Sequence, residues 1–242
     1  MAKSLLNSKL KKNFNICAVN SSNEIKFLNF KKTKVMPVFN VVFLLVKPNI
    51  FYKEGKSFLK YLNTQTKVIS CMAGVKKSTI SKKLNTKKIV RIMPNILSLF
   101  GGSHTCVFSN DKNLANWTMK NITNIFGTSF IVKNENDIHK ATALFGSGPA
   151  FIAKIISSYL KASKKMNFKY ANNEEPILML FRNVIELSKI YGGLDKFIKT
   201  ISSKKGTTQE GINFLEKVNI EKIIYTTIFR SYKRSKELSI EK

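Results

Sequence analysis

Histidine, arginine, acid and cysteine are all scarce in this chain of 242 residues, and each scarcity removes a class of explanation. Cys17, Cys71 and Cys106 are odd in number and far apart, with no C-x-x-C pair, so neither a disulfide framework nor a cysteine zinc site is expected. A reducing cytoplasm suits them. His104 and His139 are the only histidines, which leaves little for a metal centre or a histidine acid–base pair. Apolar runs are short: residues 41–46 stop at Lys47-Pro48, well below the ~18 residues of a membrane span. The opening MAKSLLNSKLKKNF lacks the apolar centre of a secretory signal and reads as an amphipathic helix of the fold. The chain is expected in solution, away from membranes.

Acids number 14 against 42 basic residues, a formal charge of +28 that invites a nucleic-acid reading. Only Arg91, Arg182, Arg230 and Arg234 are arginines, however, and proteins built to grip phosphates and bases favour the planar Arg fork. A lysine excess of this kind is read as compositional bias, and nucleic acid becomes the last of the readings. The charge is also uneven. Residues 1–132 carry +19 and residues 133–242 carry +9, so a polyanionic ligand is drawn to the first part.

What the chain does have is 43% hydrophobic residues in a regular arrangement, enough for a real core. Short apolar or β-branched segments at 15–20, 41–47, 67–74, 88–95, 104–110 and 128–133 predict strands. Helix-length segments lie between most of them, around 22–32, 49–63, 76–84 and 111–126. Nearly continuous apolar strands alternating with helices predict a doubly wound α/β domain whose parallel sheet is covered on both faces. After about residue 133 the pattern becomes helical. Pro176 opens one helix and Gly192-Gly193 closes it, residues 207–210 have capping-box spacing with Thr207 as the N-cap, and Asn219 is placed to cap the last helix.

The stretch ALFGSGPAF, residues 143–151, resembles a phosphate loop only superficially. It follows no strand, and Pro149 has no backbone N–H to offer a phosphate. It predicts a helix start, with Pro149 in the first turn and an apolar stripe through Phe151, Ile152, Ile155, Ile156, Tyr159 and Leu160.

Taken together with LLVKPN (44–49), SCMAGV (70–75), VRIMPN (90–95), SSKKGTT (202–208) and RSKEL (234–238), that stretch makes the chain similar throughout its length to pyrroline-5-carboxylate reductases. The resemblance implies a Rossmann-like nicotinamide-binding domain, residues 1–132, followed by an all-α dimerisation and substrate domain, residues 133–242. It implies reduction of the imine of 1-pyrroline-5-carboxylate to L-proline by a hydride from NADPH, in a cytoplasmic homodimer or larger homo-oligomer. Such a family begins with a strand and a glycine-rich turn for the pyrophosphate. Here Met1-Ala2-Lys3-Ser4 corresponds to the end of that turn, so the first strand and phosphate loop are expected to be missing. A cofactor-impaired relative that keeps the helical dimer is therefore the second reading.

By the same resemblance, Asn20 and Ser21, residues Leu45, Val46, Lys47 and Pro48, Ala73 and Gly74, and Asn95 would hold the cofactor. Ser203, Thr207 and Thr208 would bind the substrate carboxylate. Orphan N–H groups at a helix start also attract an anion, so the carboxylate role and a capping role for Thr207 are compatible. No residue is assigned as acid or base, because the cofactor supplies the difficult step and the protein has only to orient, bind and exclude water. Asn20-Ser21-Ser22 contains no acid to bind a ribose 2′-hydroxyl and repel a 2′-phosphate, which favours NADPH over NADH. Lys204-Lys205 stand where the family has Pro-Gly, and a lysine accepts a positive φ poorly.

Overall fold

The computed structural model describes residues 15–19, 25–27, 38–167 and 174–240. The expected helix at the start, and Asn20 and Ser21, lie outside them. Among the described residues are the strands β1 (Cys17–Val19), β2 (Ile25–Phe27), β3 (Val41–Leu44), β4 (Lys67–Ser70), β5 (Ile89–Met93), β6 (Ser103–Phe108) and β7 (Gly127–Ile131). The first two form an antiparallel pair, and the other five form one sheet in the order β3-β4-β5-β6-β7. β2 falls where the sequence predicts a helix over 22–32. Ile25-Lys26-Phe27 alternates with the period of a strand, and three residues are enough to pair with β1.

The sheet is mixed. β3–β4, β4–β5 and β6–β7 are parallel, but β5–β6 is antiparallel, which corrects the all-parallel expectation. Residues 94–102, filled by a 3-10 turn over Ile96–Phe100, join β5 to β6 and are too few for a parallel crossover.

Helices α1 (Pro48–Glu54), α2 (Lys77–Leu84) and α3 (Lys112–Asn121) pack on the sheet. Successive strand residues divide between its faces as period two requires. Val68 and Ile89 join Phe51, Ile80 and Leu84 on one side, while Ile69 and Val90 join Leu114, Ala115 and Phe126 on the other. At ~2 kcal/mol for each fully buried aliphatic or aromatic side chain, these two layers dominate the stability of the sheet.

Beyond β7 come α4 (Asp137–Ala141), a π-helical turn (Thr142–Gly146), α5 (Gly148–Lys165), α6 (Glu175–Ile190), α7 (Leu194–Ile201), α8 (Thr207–Lys217) and α9 (Ile220–Glu237). Asn219 caps α9 as expected, its Oδ1 accepting the Lys222 N–H at 3.0 Å. By packing, residues 1–149 with 229–242 form one compact unit and residues 150–228 a second. The first contains the sheet. In the second, α8 buries none of its residues, and Ile155, Ile185, Ile190, Leu194, Phe214, Ile223 and Tyr225 are exposed.

Candidate functional site

Three parallel strands end at one edge of the sheet because their register forces them to. Leu44 pairs with Ser70 and Ser70 with Arg91, so the chain leaves β3, β4 and β5 side by side. This brings residues 45–48, residues 73–74 and Asn95 to the carboxyl edge, where open α/β sheets take their ligands. Leu45 and Lys47 are exposed there, and Pro48 opens α1 with Lys47 in the N-cap position. No acid occurs in 45–48, 70–77 or 94–103, so an anionic ligand meets no like charge from these segments.

Gly74 is held for a structural reason. Its φ is +74°, and a Cβ would come within 2.6 Å of the Leu238 Cβ and 2.9 Å of the Leu238 carbonyl carbon. The segment after α9 lies against this turn and admits no side chain.

Asn95 is anchored on three sides. Its Oδ1 accepts the Leu97 N–H at 2.9 Å, its backbone N–H donates to Ser103 Oγ at 3.1 Å, and its Nδ2 donates to the Phe145 carbonyl at 2.9 Å. The last bond explains the glycine-proline stretch. An ordinary helical residue at 149 would donate to the Phe145 carbonyl, and Pro149 has no N–H. Asn95 satisfies the orphaned oxygen. The turn before it is widened, with the Ser147 N–H donating to the Thr142 carbonyl at 2.8 Å. Within the helical stretch 137–165, α5 begins anew at Gly148 with Pro149 in its first turn, as the sequence predicts. Beyond these bonds the Asn95 carboxamide has one amide hydrogen and one lone pair left over.

Ser203, Thr207 and Thr208 lie in the other unit, at the exposed start of α8. Here the capping expectation is corrected. Gly206 is the N-cap, Thr207 is the first helical residue, and the Glu210 N–H already bonds to the Gly206 carbonyl at 3.1 Å. Lys205 adopts φ +62° just before it, and the helix starts one residue earlier than the spacing predicts. Two threonine hydroxyls and the free N–H groups of a helix N-terminus suit a carboxylate.

Two residues carry more than their motifs suggested. Arg91 is 1% exposed and ion-paired with Glu135 at 2.9 Å. It is the sole arginine in the first 181 residues, placed in an otherwise apolar strand, and that was the available signal. His139 is buried, with Nδ1 2.9 Å from Ser235 Oγ. Burial, reinforced by the nearby Arg91 charge, pushes its pKa down to about 4 and keeps the ring neutral. His104 is exposed, stacks on Phe130 at 4.6 Å and shares a hydrogen bond with Thr128 Oγ1 at 2.5 Å.

Residues 135–238 match the family model for pyrroline-5-carboxylate reductase dimerisation. The chain is 34% identical to pyrroline-5-carboxylate reductase of Staphylococcus haemolyticus, over 98% of this chain and 92% of that one. It is 30% identical to that of Staphylococcus saprophyticus, over 97% and 92%. Among solved structures, it is similar to pyrroline-5-carboxylate reductase of Coxiella burnetii with a TM-score of 0.67 and 28% identity, covering 83% of this chain and 76% of that one. The fold is also shared with Plasmodium falciparum pyrroline carboxylate reductase, solved with NADP bound, at a TM-score of 0.73 and 22% identity over 83% and 77%. With an α/β sheet open at its carboxyl edge, a helical part that carries the family's dimerisation match, and relatives aligned over nearly the whole length, the chain belongs to the pyrroline-5-carboxylate reductase family.

Proposed function

We propose that this chain reduces the C=N bond of 1-pyrroline-5-carboxylate to L-proline with NADPH as donor, as a cytoplasmic homodimer or larger homo-oligomer. The observation that carries the reading is the convergence of residues 45–48, Ala73, Gly74 and Asn95 on one strand edge, from segments that contain no acid, in a chain 34% identical to a reductase of that name. The donor set fits a dinucleotide: Lys47 offers a solvent-facing ammonium group and Asn95 a fixed carboxamide, while residues 1–132 supply the cofactor-binding part. When bound, the dihydronicotinamide supplies the hydride.

The helical part, residues 133–242, binds the substrate. Thr207 and Thr208, with Ser203, hold the carboxylate at the N-terminus of α8, where backbone N–H groups and the helix dipole favour an anion. This orients the ring and leaves the imine carbon to accept the hydride. A protonated imine nitrogen makes that carbon more electrophilic, and neutral hydroxyl donors hold the carboxylate without drawing the proton away. The apolar face of α5 to α9 meets a second copy. By length and composition the segment Asp137–Lys165 could cross a bilayer, but the family's dimerisation match over 135–238 favours protein as its cover.

One observation favours the second reading, a relative that keeps the dimer and has lost catalysis. Among the described residues, no strand pairs with the outer edge of β3, so no strand end is seen there to seat a pyrophosphate.

The test is the loss of dihydronicotinamide absorbance on adding pyrroline-5-carboxylate, with Thr208→Val beside the wild type. A wild type that consumes NADPH, together with a variant about 10-fold lower in kcat/KM, or about 1.4 kcal/mol, at an unchanged thermal midpoint, supports both the activity and the carboxylate site. A dimer without NADPH turnover establishes the second reading instead. Full activity in the variant with early melting makes Thr208 structural.

A further inference from the structure

Arg91 shares a face of β5 with Ile89 and Met93, in the seam between two apolar clusters. Besides pairing with Glu135, it donates from Nη2 to the Met72 carbonyl at 3.4 Å. Its Nε is buried without a partner. The same Glu135 Oε1 that receives Arg91 accepts the backbone N–H of Lys77, the first residue of α2, at 2.6 Å. That N–H belongs to a helix with no cap of its own: Lys76 makes no side-chain capping bond, and the first turn of α2 carries no acid. Glu135, reaching from 58 positions later in the chain, serves as the missing cap and complements the helix dipole.

One ion pair therefore grips both ends of the loop between β4 and α2, the carbonyl of Met72 at its start and the N–H of Lys77 at its end. Stability does not account for this arrangement. Buried pairs are commonly replaced by apolar residues of similar volume without loss, and here an unsatisfied Nε adds to the penalty. What the pair provides, and methionine or leucine would not, is a fixed path for residues 73–76.

We infer that Arg91 and Glu135 are a positioning pair that sets the Ala73-Gly74 turn for the nicotinamide cofactor. The inference rests on the cofactor reading proposed above. Neither residue touches the cofactor; both act through the backbone groups of Met72 and Lys77. The pair also ties the cofactor edge to the segment entering α4, since Glu135 precedes that helix by two residues.

The test uses the full chain with both partners replaced, Arg91→Met with Glu135→Leu, a change that removes the charges together. The expected result is an unchanged thermal midpoint, a KM for NADPH raised about tenfold with kcat nearly preserved, and faster hydrogen exchange at amides 73–77 while β4 and β5 stay protected. Glu135→Gln retains an acceptor oxygen for both partners and should restore most of the NADPH affinity. If the double variant does not fold, Glu135→Ala is read by the same exchange experiment, and loosening confined to 73–77 supports the clamp. Native exchange at 73–77, or NADPH affinity equal to the wild type's, overturns the positioning role. A wild type that binds no NADPH overturns the cofactor reading itself, and this is seen before any variant is made.

Discussion

Acidification should unfold this protein through His139. The ring is buried beside Ser235 and has its pKa lowered to about 4, against about 6.5 for an unfolded histidine. Burial is the largest cause, followed by the Arg91 charge; Lys236 and Lys76 act in the same direction and Glu135 opposes them. The unfolded chain therefore binds the proton more readily than the folded one between pH 6.5 and pH 4. Stability is full above that window and is lost as pH falls through it. The complete shift amounts to about 3 kcal/mol, of which about 2 kcal/mol is lost between pH 7 and pH 5. For a chain of this size that is ~4–8 °C in the melting midpoint.

Urea unfolding at pH 7 and pH 5, at fixed protein concentration and ionic strength, measures the loss directly. His139→Gln keeps a polar group for Ser235 and removes the titration, so the pH dependence of wild type minus variant isolates the ring from the general repulsion of a +28 chain. Equal losses in the two proteins would show that His139 is not kept neutral by its surroundings.

Two further outcomes follow from backbone and surface. Lys205→Gly relieves a side chain held at φ +62° and should raise the unfolding free energy by about 1 kcal/mol in denaturant titrations; a loss of stability would mean the lysine side chain compensates for its backbone. Light scattering at micromolar concentration should find at least a dimer, because the exposed Ile155, Ile185, Ile190 and Phe214 need a cover, and a folded monomer would refute that.

Strands β4 and β5 were legible because both of their faces are buried, which leaves the runs Val68-Ile69 and Ile89-Val90 apolar without interruption. The direction of β6 was not legible from its own residues. It depends on the shortness of the link over 94–102, a property of the connection. The start of α8 was misplaced for a related reason: the spacing of Thr207 and Glu210 satisfies a capping box, but Lys205 in the left-handed region turns Gly206 into the cap. Asn95 was named from its motif. Its partner Phe145 was not, because a proline removes a helical donor locally while the replacement donor comes from 50 positions away. Arg91 lies inside the VRIMPN stretch, yet its pairing with Glu135 across 44 positions leaves no local pattern.

The return of the chain to the sheet-bearing unit after residue 228 has a consequence for how the sequence is divided in practice. Tyr232 bonds to Asn136, Ser235 to His139 and Ser231 to Ser147, and Leu238 closes over Gly74. The last turns of α9 are thus integral parts of the sheet-bearing unit, although they are the most distant in sequence. A truncation near residue 228 would open Gly74 to solvent and strip the partner from His139, while a cut at residue 132 would also discard Glu135 and the Phe145 carbonyl. Neither half can be produced as a faithful module, and a fusion or tag at the carboxyl end sits beside the proposed cofactor turn.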